Sequence, residues 1–417
     1  MNRVILLVDM NAFFISCETS RDQSLVGIPA AVAGDPGKRT GIILAANYEA
    51  RARNLKTAMT VAQAIRLCPE LRLVKPDHDF YKQKSKQLMQ LLNEFSPIVE
   101  PNSIDEAWID LSGCEKIYST PMQAAELIMT DINKRLGIPC SIGISSNKFL
   151  AKMAAEMRKP QGITELWPEQ IASLLWPLPV NNMYGIGSKT ANKLTAIGIK
   201  TIGDLAAVKP KLLSDMFGRS GLQLYNHANG IDPETVTMPS ENEVKSIGKS
   251  VTLAKDANSP DEVRTILIKL ADEIARSARK QKKQGSVIRI TIKYSDFSIT
   301  TRQCKINPTA SGNDIFQHAY QLMTCHWKTN SSVRLVGITL ANFSEEIKNR
   351  QLTLFDFDKC QLHGMHSDKH KLIQTNSLHG ADDRRRLEET IDAIKQKHGK
   401  SIITRGSLLE NKECSKN

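Results

Sequence analysis

An apolar run over residues 4–8, broken only at Asp9, opens the chain and suits a strand buried on both faces. A second strand is predicted over 41–46 and a helix over 61–67, with Pro69 and Pro76 marking a boundary. Helical spacing returns over 81–95. Short strands follow at 98–99 and 104–111, with the turn residues Pro101, Asn102 and Ser103 between them. An amphipathic helix over 121–136 and a strand over 141–144 come next. A helix over 147–159, capped by Ser146 or Asn147, stops at Pro160 and Gly162. Strands alternating with helices predict an α/β sheet domain here.

From 167 to 232 the pattern is helical with glycine joints, and residues 233–246 are polar and aperiodic, as in a linker. A βαββαβ order then begins. Its first helix, over 261–283, sets Val263, Ile266, Leu267, Leu270 and Ile274 on one stripe. The strand over 286–294 alternates Val287, Arg289, Thr291 and Lys293 with Ile288, Ile290 and Ile292, so one face is apolar and the other basic. After Phe343 the chain turns polar. It reads as a flexible tail with one helix candidate, carrying Leu387, Ile391 and Ile394.

Length narrows the organisation: 417 residues suit two to four domains. A hydrophobic share of 41% and a charged share of 24% match a soluble globular protein. No apolar run approaches the roughly 18 to 20 residues that span a bilayer, and no signal peptide is evident, so a cytoplasmic protein without a membrane partner is expected. A net charge of +12 favours a polyanion, with nucleic acid ahead of an anionic membrane surface. The eight cysteines form no C-x-x-C pair and read as reduced thiols.

Chemistry concentrates at two acidic positions. Asp9 ends a buried strand, where a charge is costly unless paired or metal-bound. Asp105 and Glu106 are neighbours, and in a regular strand they would face opposite ways. The turn at Pro101-Asn102-Ser103 lets both reach one ion. Two magnesium ions about 3.5 to 4 Å apart need several such oxygens. On the acids alone, a turn residue at Asp9 and a decorated hairpin at Asp105-Glu106 stand as the better reading, since acidic pairs are common.

The run Val8-Asp9-Met10-Asn11-Ala12-Phe13-Phe14, followed by Ser103-Ile104-Asp105-Glu106, resembles the metal-site motifs of the Y-family DNA polymerases, within them the bacterial DNA polymerase IV-like branch. The resemblance covers roughly residues 1–355. It implies an α/β and α+β multidomain right hand: a palm over 1–10 and 76–166, fingers over 11–75, a helical thumb with a helix-hairpin-helix over 167–232 and a linker over 233–243. A βαββαβ little finger over 244–346 and a tail over 347–417 complete it. The implied activity is low-fidelity, low-processivity synthesis past damaged template, from dNTPs onto a primer 3′-hydroxyl, by a monomer.

By that resemblance two Mg²⁺ ions are held by Asp9, Asp105 and the Met10 carbonyl, with Glu106 on the catalytic one. Asn11 departs from the acid often found there, at a position that the family pattern does not require as a ligand. Phe14 matches the steric gate that excludes a 2′-hydroxyl, with Phe13 packing below it. Tyr48, Arg51 and Lys159 match triphosphate contacts, Arg51 through its bidentate fork. Lys148 and Lys152, one turn apart on the same helix, read either as further contacts or as a solvated helix face. Small residues such as Ala45 and Ala46 would leave the pocket permissive.

For DNA, Met183-Tyr184-Gly185-Ile186-Gly187 before a helix at 188–197 has helix-hairpin-helix form: glycines admit a phosphate to the backbone, and Lys189 and Lys193 add charge. Arg289, Lys293, Arg302, Lys305 and Arg334 are suitable phosphate contacts in the little finger. Gln351-Leu352-Thr353-Leu354-Phe355 resembles the peptide that docks bacterial polymerases on the sliding clamp (β subunit), with Gln351, Leu352, Leu354 and Phe355 as anchors. Cys360, His363, His366 and His370 lack zinc-finger spacing and read as linker. Two other readings compete. A nucleotidyl cyclase would need no thumb, little finger or clamp peptide. A catalytically weak scaffold binding DNA and clamp would not need the three acids.

Overall fold

The computed structural model describes residues 3–345, except 36, 38–40, 115, 239–243 and 329–330, together with 376–399, 402–403 and 406. The chain divides into two compact units, Met1–Ser240 and Glu241–Asn417. The clamp-like peptide and the Cys360–His370 cluster lie outside the described residues. Among the described residues no helix is long and apolar enough to cross a membrane.

In the first unit, β1 (Ile5–Met10) is the middle of a five-stranded sheet and is buried along its whole length, as its unbroken apolar run predicts. It pairs antiparallel with β6 (Glu106–Asp110) on one side and β7 (Cys140–Ser145) on the other. The sheet edges are β5 (Val99–Pro101) and β8 (Ile163–Glu165). Helices α4 (His78–Phe95) and α5 (Pro121–Leu136) contribute to its core through Tyr81, Leu88, Leu91, Ile128 and Ile132. Helix α1 (Phe13–Arg21) joins that core through Phe13, Ile15 and Cys17, as do Ala30, Val32 and Ala45.

Helix α6 (Lys148–Met157) comes unusually close to β7. A Cβ on Gly143 would lie 2.0 Å from the Ala151 carbonyl oxygen and 2.3 Å from the Ala155 nitrogen, so only glycine allows this approach. Asn147 caps the helix, its side chain accepting from the Leu150 N–H. A three-stranded sheet of β2 (Ala30–Ala33), β3 (Ile43–Ala46) and β4 (Arg72–Val74) builds the fingers with α2 (Tyr48–Ala52) and α3 (Val61–Leu67).

Four helices, α7 (Ser188–Ala196), α8 (Ile202–Ala207), α9 (Pro210–Phe217) and α10 (Arg219–Ala228), form the thumb core. It is fastened to α6. The Asn147 amide donates to the Gly230 carbonyl at 2.9 Å, and the Phe149 N–H donates to Asp232 at 3.0 Å. The start of the polar 233–246 stretch is not free, as a linker reading would have it. Val236 is buried, and the Thr237 N–H donates to Glu100 at 2.8 Å, whose carboxylate also pairs with Lys148 at 2.7 Å.

His227 stacks on Phe149 with ring centroids 4.3 Å apart and 19° between planes. Burial holds its pKa below the ordinary 6.5, with Asp232 and Glu234 pulling weakly the other way. The folded chain thus keeps the ring neutral at pH values where the unfolded chain protonates it. This contribution to stability is complete above about pH 6.5 and is lost as pH falls toward the folded value. His227→Phe should flatten the decline of melting temperature below about pH 6.5; parallel declines for wild type and variant would exclude it.

The second unit is the expected βαββαβ. Strands β9 (Ser246–Ala257), β10 (Lys283–Tyr294), β11 (Ile299–Thr309) and β12 (Val333–Glu345) form an antiparallel sheet in the order β11-β10-β12-β9. Helices α11 (Pro260–Lys280) and α12 (Gly312–Cys325) cover one face, against Ile288, Ile290, Ile292, Val336, Ile338 and Leu340. Arg289 and Lys293 alternate with these on the opposite face.

Helix α13 (Asn376–His398), where the composition suggested one isolated helix candidate, docks on this unit. Glu388 and Asp392 pair with the largely buried Arg279 at 2.6 and 2.8 Å, and Glu388 also accepts the Gly312 N–H at 3.2 Å.

Candidate active site

Asp9, next to last in β1, stands directly across from Glu106, the first residue of β6. Directly opposed residues of an antiparallel pair share a face, with Cβ atoms about 4.5 to 5.5 Å apart. Asp105 precedes the strand and is therefore free of its alternation. The Ser103 hydroxyl donates to Asp105 at 2.5 Å, and the Asp105 carbonyl accepts the Met10 N–H at 3.0 Å. The Asn102 amide donates to Glu106. The turn residues thus orient both acids, as the Pro101-Asn102-Ser103 spacing requires.

Helix α6 sends a cation into this group. Lys152 Nζ lies 2.9 Å from Asp9, 2.5 Å from Glu106 and 3.1 Å from Glu156. Lys159, two residues past the end of α6 and not within it, lies 3.0 Å from Asp9 and 2.8 Å from Glu156. Lys148 and Lys152 are only 7% and 8% exposed, so a solvated helix face describes neither. A helical pattern places them a turn apart, but the depth of α6 comes from Gly143, which periodicity cannot show.

Asn11 has a structural task. Its side-chain oxygen accepts the Gln161 N–H at 2.8 Å, and its amide donates to the Ser141 hydroxyl at 3.0 Å. It fixes the turn that carries Lys159 and uses a donor that a carboxylate lacks.

The charges shift one another. Burial pushes the Asp9 carboxyl up, but the ammonium groups of Lys152 and Lys159 outweigh it and hold it below the usual range. Asp105 and Glu106 are both raised, first by burial; Ser103 opposes this at Asp105 and Lys152 at Glu106. Burial also works against the charge on Lys152, yet Asp9 and Glu106 prevail and raise its pKa.

Hard oxygen donors suit a divalent cation in kind and place. Among the described residues, however, no acidic, imidazole or thiol group forms a ready coordination cage. The Lys152 ammonium bridges Asp9 and Glu106, so an ion that took oxygens from both would have to displace it.

Asp9 and Asp105 open onto a cleft of about 390 Å³ that is also lined by Met10, Leu44, Ala45, Tyr48, Arg51 and Thr57. Phe13, Phe14 and Lys159 also line it. Phe14 stacks on Tyr81 at 4.5 Å and 15°, and meets His78 edge-on at 5.9 Å, which fixes the ring. Phe13 is buried in the core beside it. Arg51 lies 4.9 Å from the Tyr48 ring centre and donates to the Ala46 carbonyl at 2.9 Å. Thr57, in the cleft wall, and Glu156, beside Lys152 and Lys159, are residues of the site that no motif signals.

In the thumb, Gly185 has φ +89°, closed to most residues, and Gly187 caps α7. A Cβ at either glycine would meet nothing within 4 Å, so the backbone there is open to a ligand.

Comparison with known proteins gives a consistent answer. The impB/mucB/samB family matches residues 8–156, and the C-terminal domain of that family matches 244–354. Between them, the DNA polymerase-iota thumb domain matches 181–232. A DNA polymerase IV of Clostridium kluyveri is 46% identical over 98% of this chain and 99% of its own length. One from Alkaliphilus oremlandii is 45% identical over 98% and 100%, and DNA polymerase IV 1 of Bacillus subtilis is 38% identical over 99% and 94%. A solved Y-family DNA polymerase chimera superposes with a TM-score of 0.74 at 25% identity, covering 82% of this chain and 99% of that one. With all three matched domains in that order and near-complete overlap with these relatives, the chain belongs to the Y-family DNA polymerases, in the DNA polymerase IV branch.

Proposed function

We infer that the chain is a template-directed DNA polymerase of low fidelity and low processivity that copies past lesions, using a divalent metal to join dNTPs to a primer 3′-hydroxyl. What supports this reading is that Asp9 and Asp105 line one cleft with Tyr48 and Arg51, while Glu106 stands across from Asp9 on the neighbouring strand. A scaffold would have no use for a buried cluster of carboxylates, which is costly to maintain.

Two Mg²⁺ ions are assigned to Asp9, Asp105 and the Met10 carbonyl, with Glu106 on one of them. When bound, they would neutralise triphosphate charge and make the primer hydroxyl more acidic. Tyr48, Arg51 and Lys159 would grip the β- and γ-phosphates, and Phe14 would lie against the sugar. Ala45 offers a small wall beside the nascent pair, which weakens discrimination by shape. Gly185, Gly187 and Lys189 of the thumb, and Arg289, Lys293 and Arg334 of the second unit, are assigned to the DNA backbone, in keeping with the +12 charge. Gln351, Leu352, Leu354 and Phe355 are assigned to a sliding clamp, and the protein is read as a cytoplasmic monomer.

Primer extension on undamaged and lesion-bearing templates tests the reading. Wild type should extend past a lesion, and Phe14→Ala should raise ribonucleotide use about 10²-fold relative to deoxynucleotides. Stalling at every lesion with accurate copying elsewhere would remove the bypass assignment. An unchanged ribonucleotide ratio would remove the gate.

A further inference from the structure

The hairpin joining β10 to β11 carries an aromatic ring that neither the sheet core nor the active site uses. Residues 295–297 form a three-residue loop closed by the Phe297 N–H donating to the Tyr294 carbonyl at 3.0 Å and the Tyr294 N–H to the Ser298 carbonyl at 2.9 Å. In such loops the last residue is left-handed, and glycine is the usual occupant. Here it is Phe297, with φ +67°. A bulky side chain in that region is a strained choice.

The strain is not compensated by burial. Phe297 is 60% exposed and Ile299, beside it, 62%. Two cations surround the ring: Lys293 Nζ is 4.7 Å and the Arg334 guanidinium carbon 5.1 Å from its centre. The loop's one acid, Asp296, is exposed, and its carboxylate accepts the Ser298 N–H at 2.8 Å. An exposed aromatic ring in contact with two cations that can leave it for phosphates is the composition of a single-strand stacking site.

We propose that Phe297 is a stacking platform for an unpaired DNA base, with Lys293 and Arg334 holding the phosphates on either side of that base. The cation contacts keep the ring upright when no DNA is bound, and the guanidinium plane extends the stacking surface. Regular duplex offers no free base face, so the ligand is single-stranded, as in a template overhang. This rests on the assignment of Lys293 and Arg334 to phosphates.

Phe297→Gly is the decisive variant, because it removes the ring and relieves the backbone together. It should melt no lower than wild type. It should bind a primer-template with a single-stranded overhang about tenfold more weakly and lose the quenching of 2-aminopurine placed in that overhang. Phe297→Trp should restore both. With an abasic overhang of equal length, wild type and Phe297→Gly should bind alike. Binding by Phe297→Gly within twofold of wild type on the base-containing overhang would overturn the proposal, as would an equal loss on the abasic one. Arg289→Ala, which leaves the ring untouched, should lower affinity for both overhangs and reduce the salt slope by about one. An unchanged slope there would reject the phosphate assignment of this face, whatever Phe297 does.

Discussion

Asp105→Ala should abolish primer extension, by on the order of 10³-fold or more, while leaving the fold and DNA affinity nearly intact. Losing a metal position costs several kcal/mol of transition-state stabilisation, and each 1.36 kcal/mol is a factor of ten in rate. The substitution is clean for a structural reason. What ties residue 105 to the sheet is its carbonyl, accepting the Met10 N–H, and alanine keeps that bond. Only the Ser103 hydroxyl loses a partner, and it is solvent-exposed. Single-turnover extension with saturating primer-template separates chemistry from binding. Residual synthesis above a tenth of wild type would reject the three-acid assignment.

Removing Lys152 should act on stability and metal binding before it acts on anything else. Its ammonium bridges Asp9 and Glu106, whose side chains are 10% and 13% exposed. Deleting one partner of a buried pair costs about 3 to 5 kcal/mol because the other charge is left uncompensated. Lysine 159 still serves Asp9, but nothing replaces Lys152 at Glu106 among the described ion pairs. Lys152→Met should therefore lower the melting temperature in chelator by roughly 10 °C. Magnesium should recover more of that loss than it adds to wild type, since no ammonium has to leave. Calorimetric melting with and without magnesium reads this without any turnover. Equal metal-induced gains in wild type and variant would show that Lys152 does not occupy the ion's place.

Much of this was legible in the sequence, for identifiable reasons. An apolar run ending in Asp9 suits a buried strand with a charge at its end, and the turn before Asp105 lets the next acids reach one ion, but only the motif resemblance decided between that and a decorated hairpin. The βαββαβ order shows itself through periods of two and of 3.6, which the alternation at Arg289 to Lys293 and the stripe on α11 keep distinct. What stayed hidden depends on depth. Lys152 looks like a surface lysine until Gly143 lets α6 sink onto β7. Phe297 looks like an ordinary hairpin apolar residue until its φ and its cationic neighbours are known. The polar 233–246 stretch has no period, yet Val236 and Thr237 are held by the palm, because a single buried side chain and one backbone bond leave no pattern.

Arg279 changes what the end of the chain can be. With Glu388 and Asp392 clasping it, α13 returns to the unit that β12 has just left at Glu345. Cutting the chain after Glu345 would therefore strip the largely buried Arg279 of both Glu388 and Asp392. The helix at the end of the described chain is thus part of what keeps that guanidinium neutralised inside the second unit.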